Sequence, residues 1–398
     1  MKVFWSFFSK KDGSWLSVFV IFLRLGCTSF GGPIAHLGYF RAAFVERRRW
    51  LDEATYADIV ALCQFLPGPA SSQVAVTLGI LRAGLPGGLA AWAGFTLPSA
   101  VVLILFALGV GRSTSGSGWL HGLGIVAVAV VAQAVWGMAR NLCPDRPRAT
   151  MMVAAACVML LWPAALAQLV VLMVGALLGL AFLRQPVAAP VGRLDFGLRR
   201  HTAVLALVGF LALLLFLPVV ATAAHNHALD LLARFYRAGA LVFGGGHVVL
   251  PLLQQAVVPP GWISDGRFLA GYGAAQAVPG PLFTFAAYLG AAMRPAPNGV
   301  AGGVLCLVAI YLPSFLLLIG VLPFWDGLRR QAGVQAALRG VNAAVVGLLL
   351  AALYTPVWTS AIHGPGDFAI GAAAFLLLVI WRLPPWLVVI LGAVAAAL

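Results

Sequence analysis

Residues 149–183 run for 35 positions without a charged side chain, and residues 83–111 form a second charge-free run. A water-facing surface cannot be built from such segments, whereas a bilayer-crossing helix needs about 20 apolar residues in a row. Trp162-Pro163 divides the longer run into two predicted helices, 149–162 and 164–183. Further spans are predicted at 119–139, 202–222, 295–325, 340–366, 368–381 and 383–398. With 62% hydrophobic and 9% charged residues, against about 25% charged in a soluble domain, the chain reads as a polytopic membrane protein. Its net charge of +14 does not point to nucleic acid. The basic residues sit in short clusters between apolar runs, as topology-setting loops do. The five cysteines have no C-x-x-C spacing and read as small hydrophobes.

Four apolar stretches carry helix breakers at their centres: Gly31-Gly32-Pro33, Pro67-Gly68-Pro69, Gly244-Gly245-Gly246 and Pro279-Gly280-Pro281. Freed backbone groups are tolerated at membrane depth only where they are buried in protein or line a cavity. These stretches are therefore predicted to be broken or re-entrant helices.

The four form two pairs. Arg24-Leu25-Gly26 with Phe30-Gly31-Gly32-Pro33 matches Arg237-Ala238-Gly239 with Phe243-Gly244-Gly245-Gly246 at an offset of 213. Gln64 with Pro67-Gly68-Pro69 matches Gln276 with Pro279-Gly280-Pro281 at 212, as Trp50 matches Trp262. Leu97-Pro98-Ser99 matches Leu312-Pro313-Ser314 at 215. An ordered set at nearly constant offset is a duplication. If the broken segments are re-entrant, the first repeat, 1–183, holds an even number of crossings. A basic linker, 184–201, follows, and helix 202–222, which has no counterpart, then turns the second repeat, 223–398, over. This arrangement puts 19 basic residues inside, four outside and two in the motifs. Letting the broken segments cross gives 16 inside and 7 outside, so the positive-inside rule favours re-entry. The expected fold class is an all-α polytopic membrane protein with two inverted-topology repeats, its N-terminus cytoplasmic and its C-terminus outside. Inverted repeats with broken helices are a transporter architecture.

Arg24 and Arg237 each precede a glycine pair by seven residues, two helical turns, and are expected to share a face with Gly31-Gly32 and Gly244-Gly245. Snorkelling to an interface is the competing reading for either arginine. The helix ends after Pro69 and Pro281 would offer free amides, with the hydroxyls of Ser71, Ser72 and Thr284 beside them. Gln64 and Gln276 can donate without charge. Together these groups suit a small oxyanion. His247 is the titratable candidate, weighed against plain packing. The acidic residues read as loop or edge positions, which leaves no carboxylate pair for a metal-dependent membrane enzyme. No metal site and no cofactor are expected.

Phe30-Gly31-Gly32-Pro33, Trp50 and Gln64-Phe65-Leu66-Pro67-Gly68-Pro69 with Gln73, doubled by Phe243-Gly244-Gly245-Gly246-His247 and Gln276-Ala277-Val278-Pro279-Gly280-Pro281, resemble the chromate ion transporter family of the two-domain, long-chain type. The resemblance covers nearly the whole chain. It implies a multi-pass protein of the inner (plasma) membrane of bacteria or archaea that exports chromate and gives chromate resistance, and it implies no enzymatic activity. Sulfate has the same charge and shape as chromate, so a permease for sulfate or another oxyanion stays open on the residues alone. A channel, or an enzyme acting on lipid phosphates, is a more distant reading. The expected partners are a chromate- or sulfate-like oxyanion and the lipid bilayer; a homodimer is compatible with the chain, and nucleic acid is not expected.

Overall fold

The computed structural model describes residues 14–110, 118–162, 165–184, 198–243, 246–328 and 331–397. The N-terminal lysines, most of the polar turn after residue 111, Pro163, Arg193, Gly244 and Gly245 lie outside these residues. The described residues form helices joined by short turns, with no strand among them.

Seven helices make the first half: α1 (Trp15–Thr28), α2 (Gly32–Arg41), α3 (Glu53–Phe65), α4 (Ala70–Val110), α5 (Gly118–Leu142), α6 (Arg146–Leu161) and α7 (Ala165–Phe182). A lone helix, α8 (Arg200–Ala224), follows. The second half contains α9 (His227–Ala240), α10 (Val249–Val257), α11 (Asp265–Ala277), α12 (Phe285–Ala292), α13 (Gly299–Val321), the single turn α14 (Trp325–Leu328), α15 (Ala332–Ala352), α16 (Pro365–Val379) and α17 (Pro385–Ala397).

Short polar side chains cap the starts of some helices. Asp52 accepts from the Thr55 amide at 2.7 Å to open α3, and Asn226 Oδ1 accepts from the Ala228 amide at 2.9 Å to open α9. α4 breaks at Ala83-Gly84, where both residues leave helical geometry, and resumes through Pro86. α1, α3, α9 and α11 have 14, 13, 14 and 13 residues. At 1.5 Å per residue each is about 20 Å long, too short for a hydrocarbon core of about 30 Å. Each ends at one of the four breaks. Among the described residues, five other helices are long and apolar enough to cross a membrane.

The halves exchange partners. α5 packs against α16 and α17, while α15 packs against α6 and α7. Close backbone approach also recurs. A Cβ at Gly26 would come 2.7 Å from the Phe95 carbonyl oxygen, and one at Gly239 would meet that of Ile310, so α1 lies tight on α4 as α9 does on α13. α8 is the outlier. Only 11% of its most apolar window is buried, and it holds to α9 through the Tyr236 hydroxyl, which donates to Phe210 O at 3.0 Å.

One predicted span is displaced. The helix expected at 340–366 begins at Ala332 and ends in a π-turn at Leu353–Trp358. Arg339 is not a boundary. It lies inside α15 and donates to Leu183 O at 2.9 Å, capping the end of α7.

Candidate functional site

The tips of the broken segments meet, and each half completes the other. The Gly68 amide donates to Val242 O at 2.6 Å, and the Gly280 amide donates to Ser29 O at 3.0 Å. Gly68 and Gly280 are equivalent positions, and so are Ser29 and Val242, so the two bonds are one interaction made twice. The Leu-Pro-Ser serines repeat the pattern. A Cβ at Gly68 would lie 2.5 Å from Ser314 Oγ, and one at Gly280 would lie 2.8 Å from Ser99 Oγ. Each Pro-Gly-Pro break thus rests on the serine of the opposite half. Both glycines have φ above +100° (+121° and +110°), which L side chains rarely adopt.

Polar side chains brace the crossing. Gln73 Nε2 donates to Pro67 O at 2.8 Å and to Ser314 Oγ at 2.9 Å. His36 is fully buried. Its Nε2–H donates to Ser29 O at 3.2 Å, and in the neutral tautomer selected by that carbonyl its Nδ1 accepts from the Ser71 hydroxyl at 3.3 Å. Ser29 O therefore takes two donors, one from each half. Thr284 Oγ1 turns back to Pro281 O at 2.7 Å, and His247 Nδ1 pairs with the Tyr272 hydroxyl at 2.7 Å.

Around the same crossing lie buried polar atoms whose hydrogen bonding is incomplete: Ser29 Oγ, Ser72 Oγ, Thr96 Oγ1, the Tyr311 hydroxyl, Trp92 Nε1, Gln276 Nε2 and Gln73 Oε1. All but Gln73 Oε1 can donate. The Tyr311 hydroxyl interacts with those of Ser72 and Thr96, and its ring stands edge-on to Trp92 at 5.6 Å between centroids. An unmet buried polar group costs about 1–3 kcal/mol. A cluster of unmet donors in a folded protein calls for an explanation, and an absent acceptor supplies one. Thr96 and Tyr311 are equivalent at offset 215, each directly before its Leu-Pro-Ser, and Ser72 is equivalent to Thr284 at 212. The sequence reading found Ser72 but passed over His36, Thr96 and Tyr311. The offset that paired the serines also pairs Thr96 with Tyr311.

The two arginines do not share one location. The seven-residue spacing argument fails because α1 ends at Thr28 and α9 at Ala240, so the glycines lie past the helix ends. Arg24 is exposed, within electrostatic reach of Arg48. Burial and the charges of Arg24 and Arg47 hold the Arg48 guanidinium below its ordinary pKa. Gln64 is exposed as well, and Gly31 and Gly32 form the turn between α1 and α2. Arg237 lines a cavity of about 120 Å³ between α7, α9 and α10, together with Arg234, Gln168, Leu241 and Gln255. Arg234 is engaged there: it donates to Asp230 at 2.9 Å and to Ala256 O at 3.1 Å and lies over the Trp262 ring. Arg237 makes no side-chain hydrogen bond or ion pair among the described residues. Gln168 is 5% exposed, and its Nε2 is buried without a partner. The cavity adjoins the crossing through Leu241, which precedes Val242.

Among known proteins, the family model described as chromate transporter matches residues 16–180 and 229–397, leaving out the segment that contains α8. The chain is 29% identical to the chromate transport protein of Pseudomonas aeruginosa, over 93% of this chain and 88% of that one. It is 27% identical to a probable chromate transport protein of Synechococcus elongatus, over 95% of this chain and 93% of that one. A shorter relative, an uncharacterized transporter of Bacillus subtilis (YwrB), is 31% identical over 41% of this chain, and the match takes in 82% of that protein. No solved structure matches. The repeated breaks, the membrane-crossing helices and the family match over both halves agree: the chain is a multi-pass membrane protein of the chromate transporter family.

Proposed function

We propose that this protein carries chromate out of the cell across the bacterial inner membrane, binding the dianion where the two sets of re-entrant helices cross. The observation that carries the reading is the reciprocal Gly68–Val242 and Gly280–Ser29 contact, set among unmet donors. A tetrahedral dianion has acceptors pointing in several directions and suits donors arriving from both halves. Arg237 supplies charge in the adjoining cavity with the Gln168 amide, and Arg24 contributes positive potential from an exposed position. The tips bond directly to each other here, so the anion gains access when they part. A cytoplasm-negative potential favours efflux, since each charge gains about 2.3 kcal/mol per 100 mV and a dianion twice that. The functional units in this reading are repeats 1–183 and 223–398, inverted about the crossing, with 184–201 as linker and 202–222 as the connecting helix. Transport, not catalysis, is the whole activity.

The test is accumulation of radiolabelled chromate and sulfate in everted vesicles, with and without an imposed potential. Chromate should accumulate with the potential, and Arg237→Gln should lower the rate at least tenfold at equal protein level, since a charge-assisted contact is worth about 1.5–3 kcal/mol. Accumulation of sulfate alone would replace the substrate. No accumulation of either anion above empty vesicles would end the transport reading.

Orientation follows from the basic-residue tally. A phosphatase reporter fused after Leu398 should be active, and one inserted at Arg193 inactive. Activity at Arg193 would remove the inversion.

A further inference from the structure

The first turn of α5 and the start of α16, far apart in sequence, bring three ligand-type side chains together. His121 Nε2 lies 3.0 Å from Asp367 Oδ1, and His363 Nδ1 lies 4.0 Å from Asp367 Oδ2. One ligand atom from each residue falls within 4.8 Å of the others, the one such group of histidine, cysteine and carboxylate residues among the described residues. The two imidazoles stack nearly parallel, 12° apart with centroids at 5.4 Å. Asp367 Oδ2 also accepts from the His363 amide at 2.9 Å, which holds the carboxylate toward both rings.

We propose that His121, His363 and Asp367 form a binding site for a divalent transition-metal cation. Metal–ligand distances of about 2.0–2.2 Å put neighbouring donors of a four-coordinate site roughly 3–3.5 Å apart. The His121–Asp367 pair already has that separation, and His363 needs a movement of about an ångström. Its side chain is 62% exposed, which leaves room for that movement and for a water in the fourth position. Two imidazoles and one carboxylate select zinc, nickel, copper or ferrous iron over calcium and magnesium, which prefer oxygen alone. The site ties together elements of the two halves, because His121 begins α5 and Asp367 begins α16. It also touches the transport machinery through packing: a Cβ at Gly273 of α11 would sit 2.5 Å from Leu123 O, two residues after His121. α11 is the helix that leads to the Gly280 tip. A cation here clamps α5 to α16 beside that helix and resists their separation.

The experiment uses the full chain, purified in detergent and stripped with EDTA, and titrates zinc alone by calorimetry while following thermal unfolding. One saturable zinc per chain and a rise in unfolding temperature that EDTA reverses are expected. His363→Gln, at an exposed position that does not threaten folding, should weaken binding at least tenfold and remove the rise. His121→Gln should do the same. Absence of saturable binding, or unchanged binding by His363→Gln, overturns the proposal and leaves a hydrogen-bonded His121–Asp367 pair.

Discussion

Leucine at Gly68 or at Gly280 is expected to abolish transport while the chain still reaches the membrane at wild-type level. Two costs combine at each position. An L residue at φ near +110 to +120° is strained by about 1–3 kcal/mol. The added carbons must also displace a serine of the opposite half, Ser314 Oγ at 2.5 Å from the first of them at Gly68, with its Gln73 hydrogen bond, and Ser99 Oγ at 2.8 Å at Gly280. Neither cost changes the apolar length of the crossing helices, which fixes insertion. Both fall on the tip, whose amide bonds to the opposite half. Because the contact is reciprocal, the two variants should be equally damaging. Vesicle transport with immunoblotting for protein level decides the matter. Normal transport by either variant would make that break a packing feature.

Removing the unmet hydroxyls should separate stability from function. Ser72→Ala, Thr96→Val and Tyr311→Phe together replace three buried hydroxyls that interact with one another by apolar groups of similar shape, a change that is neutral or stabilising in a folded protein. The triple variant should unfold at a temperature equal to or above that of the wild type, gaining roughly 1 kcal/mol per hydroxyl. Its chromate affinity should fall at least tenfold for each hydroxyl that contacts the anion. Structural hydroxyls would behave the other way, losing stability first. Full transport by the triple variant would take the anion away from this cluster.

The paired breaks were legible because helix breakers inside apolar runs have few explanations, and a constant offset removes chance. The offset led as far as the equivalent serines and, unread, to Thr96 and Tyr311. It did not reveal that each break rests on the other half, since Gly68 with Ser314 and Gly280 with Ser99 are long-range pairs that no local pattern encodes. The arginines mark a second limit. Spacing gives the relative direction of two side chains only while the helix continues, and both helices stop before the glycines. Arg339 shows a third: a charge looked like the edge of a span, yet a long side chain reaches the Leu183 carbonyl from inside the helix. The His121, His363 and Asp367 grouping was invisible because it joins residues from α5 and α16 that meet only after folding.

The amide-to-carbonyl bonds at the crossing make each half a ligand for the other. Detached, either tip would present an amide with no acceptor in a medium without water, at a cost of several kcal/mol. Within one chain, the segment from 184 to 201 and α8 turn that docking into an intramolecular event at high effective concentration. A chain that held one half alone would have no such tether and would need its acceptor carbonyls from a second polypeptide. Duplication followed by fusion would then have replaced an encounter between subunits with a permanent partnership. It would also have freed the two copies to diverge, with a threonine on one side of the crossing and a tyrosine on the other.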